Sequence, residues 1–208
     1  GVQTCALPIL VSTSGGISTL AQGDAFLLPK GLATDASGMV YVANTGKNQI
    51  LQISSEGIVS IFAGSPTGNH GAHDATGTSA LFNAPVGVVC DGTSCLYVSD
   101  LFNNRIRKVN LNTAEVKTLA FMGSALSLPT GIALDGAGNV LVSDSINHAV
   151  AIVDQSGVVW NFAGQLGVDT FRSGDLPGAN TSPVGLAVAN NKIYVVSNNG
   201  IVQIAPKS

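Results

Sequence analysis

The amino-acid sequence predicts an all-β fold of the propeller type, and three observations carry that prediction. One unit recurs four times; each unit holds short apolar runs bounded by turn formers; and the composition is rich in glycine and poor in charge. Of 208 residues, 25 are glycine, 45% are hydrophobic and 10% are charged, against roughly 25% charged in an average soluble domain. Serine, threonine and asparagine carry the polarity instead, a balance suited to many strands joined by tight turns. A chain of this length builds one sizeable core or several small units that share one.

The unit opens on a Pro-x-Gly frame: Pro29-Lys30-Gly31-Leu32-Ala33-Thr34-Asp35, Pro85-Val86-Gly87-Val88-Val89-Cys90-Asp91, Pro129-Thr130-Gly131-Ile132-Ala133-Leu134-Asp135 and Pro183-Val184-Gly185-Leu186-Ala187-Val188-Ala189. These prolines lie 56, 44 and 54 residues apart. After a short Gly/Ser/Asn turn comes a second run: Val40 to Asn44, Leu96 to Asp100, Val140 to Asp144 and Ile193 to Ser197. An Asn-rich turn leads to a third run, starting near Ile50, Ile106, Val150 and Ile201. A fourth follows at Ile58 to Ala63, Val116 to Ala120 and Val158 to Ala163. Runs of four to seven residues rich in Val, Ile, Tyr and Phe between turn formers are strands. Four strands per unit make a sheet that cannot bury both faces alone, so successive sheets stack radially.

The recurring carboxylates have a structural role by the same reasoning. Asp35, Asp91 and Asp135 cap the turn that follows them by accepting backbone N–H bonds, and Asn44, Asp100 and Asp144 do likewise at the next turn. An active site needs its residues once, whereas these return in each blade.

Asn147-His148 in the third unit, Asn103-Asn104-Arg105-Ile106 in the second, and the Pro-x-Gly…Asp…Tyr-Val-x-Asp frame resemble NHL repeats over about residues 15–204. The first unit departs from the pattern with Lys47-Asn48, and the fourth has Ala189 in place of Asp and no Asn-His pair. NHL propellers usually close with six blades, so the resemblance implies about four blades of a six-bladed propeller, starting near residues 29, 85, 129 and 183. Residues 15–21 align with residues 57–63 as a fourth strand of a preceding or closing blade. In a compact four-blade arrangement that strand is expected beside Ile201–Ile204, because pairing the two termini removes an open sheet edge.

Residues 1–9, Gly1-Val2-Gln3-Thr4-Cys5-Ala6-Leu7-Pro8-Ile9, match in register the translation of a sequencing adapter. They are therefore set apart from the propeller, which spans 10–208. Cys90 and Cys95 then remain, flanking the turn Asp91-Gly92-Thr93-Ser94. Residues opposed across such a hairpin have Cα atoms about 4.5–5.5 Å apart, within reach of a disulfide. A Cys90–Cys95 disulfide is expected on that ground, with two free thiols as the alternative, and it points to an oxidising compartment.

Nine Lys and Arg against twelve Asp and Glu, a net charge of −3, leave no basic stripe to displace counterions. Nucleic acid is thereby disfavoured as a partner, including the RNA bound by the NHL domains of tripartite-motif proteins. No apolar run approaches the roughly 18 residues of a membrane helix. The leading functional reading is a non-catalytic, secreted or otherwise extracytoplasmic scaffold, monomeric, that binds a protein, peptide or glycan and needs no cofactor. The alternative follows from resemblance to gluconolactonase-type, paraoxonase-type and amidating-lyase propellers: a metal-dependent enzyme using a divalent cation such as calcium. No Gly-x-Ser-x-Gly elbow, P-loop or HExxH occurs, and no catalytic residue or metal ligand is assigned. His70 and His73, in His70-Gly71-Ala72-His73-Asp74, lie in a glycine-rich loop expected to be solvated, without a third ligand or orienting partners.

The long connections set the expected binding face. The turns between first and second strands are short, whereas Ser65 to Asn83, Leu101 to Asn104 and Gly167 to Ser182 lie on the opposite end of the blades. Binding residues concentrate on loops held by a rigid scaffold. The candidates are His70, His73, Asp74, Phe102, Asn103, Asn104, Phe171, Arg172 and Asp175.

Overall fold

The computed structural model describes residues 9–11, 14–120, 126–164, 183–190, 192–197 and 200–204. Blade 1 is the antiparallel sheet β3 (Pro29–Thr34), β4 (Val40–Asn44), β5 (Gln49–Ile53) and β6 (Val59–Ala63). Blade 2 is β7 (Pro85–Cys90), β8 (Cys95–Asp100), β9 (Arg105–Asn110) and β10 (Val116–Ala120). Blade 3 is β11 (Pro129–Leu134), β12 (Val140–Asp144), β13 (Ala149–Val153) and β14 (Val159–Gly164). Blade 4 shows three strands among the described residues, β15 (Gly185–Ala189), β16 (Lys192–Ser197) and β17 (Gly200–Ile204). The strands of each blade are lettered a to d from the inside outwards.

The a strands touch one another around the centre, β3 on β7, β7 on β11 and β11 on β15. This close approach explains the glycine of the Pro-x-Gly frame. A Cβ on Gly87 would lie 2.6 Å from the Thr130 carbonyl oxygen, and one on Gly131 would lie 2.7 Å from that of Val184. Any side chain there forces the blades apart.

The core lies between sheets. Tyr41, Ala43 and Ile50 of blade 1 pack on Val88, Leu96, Val98 and Val109 of blade 2. Tyr97 and Ile106 of blade 2 pack on Ile132, Val140 and Val142 of blade 3. Leu141, Val150 and Ala163 of blade 3 pack on Ile193, Val195 and Ile204 of blade 4. Fully burying each such Val, Leu or Ile side chain contributes about 1.5–3 kcal/mol.

Two sequence-based expectations are corrected. β2 (Ile17–Thr19) pairs with β1 (Ile9–Val11), not with Gly200–Ile204. Its register, Val11↔Ile17 and Ile9↔Thr19, repeats the c–d hairpin of blade 1, Ile53↔Val59 and Leu51↔Ile61. The strand belongs to a two-stranded sheet ahead of Pro29, and its neighbours Leu20 and Ala21 pack on blade 1. Closing a short hairpin costs far less loop entropy than joining the two ends of the chain.

Cys90 and Cys95 are free thiols. Cys90 stands opposite Leu96, and Cys95 stands opposite Asn110 on the next strand. A one-residue offset puts side chains on opposite faces of a sheet. Cys90 accordingly packs towards blade 1 and Cys95 towards blade 3.

Candidate functional site

In blades 1 to 3 the face formed by the b–c turns and the d–a connections is built around one buried side chain at the end of each b strand. Asn44, Asp100 and Asp144 end their b strands fully buried. Each accepts a backbone N–H from the connection 17 residues upstream: Leu27 at 2.7 Å, Asn83 at 2.7 Å and Ser127 at 2.8 Å. They therefore fix the entry of the chain into its own blade, in addition to the next turn, where Asn103 and Asn147 donate to Asp100 and Asp144. Burial pushes the carboxyls of Asp100 and Asp144 above their ordinary value, against the pull of these donors.

A second set of side chains links one blade to the next. Asn48 and Asn104 sit at φ 56° and 51°, the left-handed conformation that asparagine tolerates. Asn48 accepts the N–H of Ala84 at 2.8 Å and Asn104 that of Leu128 at 2.7 Å, just before the next blade's proline. The hydroxyls of Thr45 and Ser145 donate to the carbonyls of Pro85 and Pro183. His148 occupies the same left-handed position in blade 3, at φ 54°.

The insertion at residues 65–83 is an ordered part of this face, which corrects the expectation of a solvated loop. Arg107, fully buried on β9, donates to Asp100 at 2.8 Å, to Asp74 at 2.6 Å and to the carbonyls of Leu81 and His73. Its guanidinium lies 5.1 Å from the ring centre of Phe82, a buried insertion residue that packs with Ala80 into the core between blades 1 and 2. Burial raises the Asp74 carboxyl, but bonds from the Thr118 N–H and hydroxyl and the charge of Arg107 outweigh it, so the carboxyl is held low. Further bonds run from Gly71 N to Phe82 O, Leu81 N to His73 O and Val116 N to Ala75 O.

The predicted residues divide accordingly. Asp74, Asn103 and Asn104 are engaged in holding the face together; Asn103 also donates to Gly71 O. His70 and His73 are exposed on the insertion. Among the described residues no three His, Cys, Asp or Glu side chains gather where they could hold one ion. Phe102 is 59% exposed at the apex of its b–c turn, and Ile146, 55% exposed, takes the equivalent place in blade 3. Phe171, Arg172 and Asp175 lie outside the described residues. Sequence reasoning missed Ile146, which alignment of Asp100-Leu101-Phe102 with Asp144-Ser145-Ile146 would have found. It also missed Arg107, a single-copy residue that no repeat logic marks.

No model of a known protein family matches the chain. Its sequence is 35% identical over 98 residues to NHL repeat-containing protein 2 of Gallus gallus, covering 47% of this chain and 13% of that protein. The chain is an NHL-repeat β-propeller. It is also 25% identical over 196 residues to teneurin-1 of Mus musculus, covering 84% of this chain and 7% of that protein. The chain thus spans a small part of the length of these NHL and teneurin relatives. Among solved structures, a nidogen/laminin complex superposes with a TM-score of 0.71 at 15% identity, over 93% of this chain and 65% of that one. A gluconolactonase of Xanthomonas campestris gives 0.68 at 15% identity, over 95% and 64%. At such identity the likeness carries the fold alone.

Proposed function

We propose that this NHL propeller is a non-catalytic, extracytoplasmic scaffold that binds a protein, peptide or glycan through the face of b–c turns and d–a connections. The observation that carries the reading is the pair Phe102 and Ile146. Two large apolar side chains stand exposed at equivalent apices of adjacent blades, on turns pinned by buried Asp100 and Asp144. Rigid placement lowers the entropy lost on binding, and aromatic anchors dominate interface energies. The solved nidogen/laminin complex, which shares the fold, accords with use of such a propeller in protein binding. Extracytoplasmic placement rests on the low charge content, since Cys90 and Cys95 are unpaired.

The gluconolactonase likeness favours a second reading, a metal-dependent enzyme. Against it, Asp35, Asp91 and Asp135 all accept turn N–H groups, while Asp74 and Asp100 pair with Arg107. Calcium titration calorimetry with an assay of D-gluconolactone hydrolysis separates the two. The scaffold gives neither saturable heat nor hydrolysis above buffer; a calcium-dependent rate would overturn it. A photo-crosslinking residue at position 102 or 146 should capture a partner that the same residue at Ala137, in an a–b turn, does not. Equal capture from Ala137 would show that the wrong face has been chosen.

A further inference from the structure

Blades 1 and 3 are in register at an offset of 100 residues, from Pro29 and Pro129 through Ala63 and Ala163. In blade 1 the phenol of Tyr41 donates to Asp35 Oδ2 at 3.2 Å, and its ring meets Phe62 edge-on, with centroids 5.1 Å apart and planes at 62°. Leu96 of the next blade packs against it, with Cys90 alongside. Burial first, then the neighbouring Asp35, push the Tyr41 hydroxyl up to about 12, so it stays a protonated donor.

Blade 3 keeps this frame without the phenol. Asp135 and Phe162 occupy the places of Asp35 and Phe62, and Leu141 replaces Tyr41. Val188 and Ile193 of blade 4 stand where blade 2 has Cys90 and Leu96. These residues line a cleft of about 250 Å³ between blades 3 and 4, together with Ile152 and the turn residues Gly136 and Ala137. Leu141 forms its floor, fully buried. Asp135 Oδ1 takes the N–H groups of Ala137 and Asn139, and its Oδ2 accepts the side-chain amide of Asn139. A carboxylate oxygen accepts more than one donor, so Oδ2 keeps capacity for a hydroxyl, as Asp35 Oδ2 has for Tyr41. An apolar cavity of about 150 Å³ suffices to bind benzene.

The geometry points to a small-molecule site in this cleft that takes a phenol, its hydroxyl donated to Asp135, its ring edge-on to Phe162 and walled by Val188 and Ile193. The ligand restores in trans the contact that Tyr41 makes within blade 1. A hydrogen bond to a charged acceptor contributes enough to change affinity by roughly tenfold or more. The hydroxyl is therefore a requirement of the site, and an apolar ring alone is a poor ligand.

The test is NMR titration of the full chain with 4-methylphenol and with toluene. Saturable shifts at Asp135, Leu141, Phe162 and Ile193 are expected with 4-methylphenol, and at least roughly tenfold weaker binding with toluene. Leu141→Tyr fills the cleft from within, so it should abolish 4-methylphenol binding and raise the melting temperature, while Leu141→Ile retains binding. No saturable shift up to about 10 mM, equal binding of toluene, or undiminished binding by Leu141→Tyr would each overturn the site. Should Leu141→Tyr fail to fold, the contrast between the two ligands on the unaltered chain decides the matter.

Discussion

Position for position, blade 2 has Arg107 where blade 1 has Leu51 and blade 3 has Ala151, and it has Asp100 where blade 1 has Asn44. The backbones follow one plan, and the buried side chain at the end of each b strand accepts an N–H 17 residues upstream in all three blades. Among the described residues only blade 2 adds a buried cation, and it receives the long insertion at residues 65–83. Arg107 reaches Asp74, His73 and Leu81 on that insertion while neutralising Asp100. The difference teaches that the repeat supplies the blade, and that a single-copy residue turns a long connection into a rigid part of the face. The ion pairs are not a simple gain in stability, since desolvation offsets much of their attraction; their role is to fix one arrangement of the loop.

The largest expected effect comes from breaking that arrangement. Arg107→Ala leaves Asp100 buried without its cation and frees the insertion, so urea unfolding should show a loss of about 3–5 kcal/mol. The double variant Asp100→Asn with Arg107→Leu transplants the blade 1 pair, Asn44 and Leu51, and should be less destabilised than Arg107→Ala alone. A double variant as unstable as the single would mean that the contacts to Asp74, His73 and Leu81 dominate, not the orphaned charge.

Asp144 sharpens the comparison from blade 3, where Ala151 takes the place of Arg107. Burial raises its carboxyl above the ordinary 3.8. A carboxyl raised by folding penalises the folded state when ionised, so this cost is present at neutral pH and is relieved as pH falls through the raised value towards 3.8. Asp144→Asn keeps the acceptor for the Ser127 N–H. It should flatten that part of the pH–stability curve, read by thermal melts between pH 4 and pH 7.

Asp91 shows the opposite sign on the far face. Burial pulls its carboxyl up, but the Ser94 hydroxyl and the N–H groups of Cys95, Ser94 and Thr93 outweigh that and hold it at about 2. Its stabilisation is therefore present above 3.8 and lost as pH falls from there towards 2. Asp91→Ala should cost about 1 kcal/mol at neutral pH, the scale of a solvent-exposed hydrogen-bonded cap, and nothing at the acid end. The smallest effect on stability belongs to Phe102→Ser and Ile146→Ser. Exposed apices away from the core should change unfolding by no more than about 0.5 kcal/mol, while each serine weakens capture by a photo-crosslinking residue placed at the other apex.

The blade frames were legible because the physical demand repeats: Gly31, Gly87 and Gly131 meet the next blade's backbone, and Asp35, Asp91 and Asp135 cap one turn type. What stayed hidden depends on register or on distant partners. Cys90 and Cys95 read as a pair until the hairpin register, offset by one residue, sends them to opposite faces. Asn104 read as a binding candidate because its partner, the Leu128 N–H, lies 24 residues away in the next blade. His73 and Asp74 read as a solvated loop because nothing in their sequence points to Arg107.

Hydrogen–deuterium exchange of the insertion tests the central claim, that this loop is a built part of the propeller face anchored through Arg107. The amides of Gly71, Leu81 and Val116, bonded to Phe82, His73 and Ala75, should be protected in the unaltered chain. In Arg107→Leu the first two should lose protection while Ser127 of the next connection keeps it. Exchange of Gly71 and Leu81 at the rate of an unstructured peptide in the unaltered chain would contradict the account, leaving the insertion as solvated as its sequence alone implies.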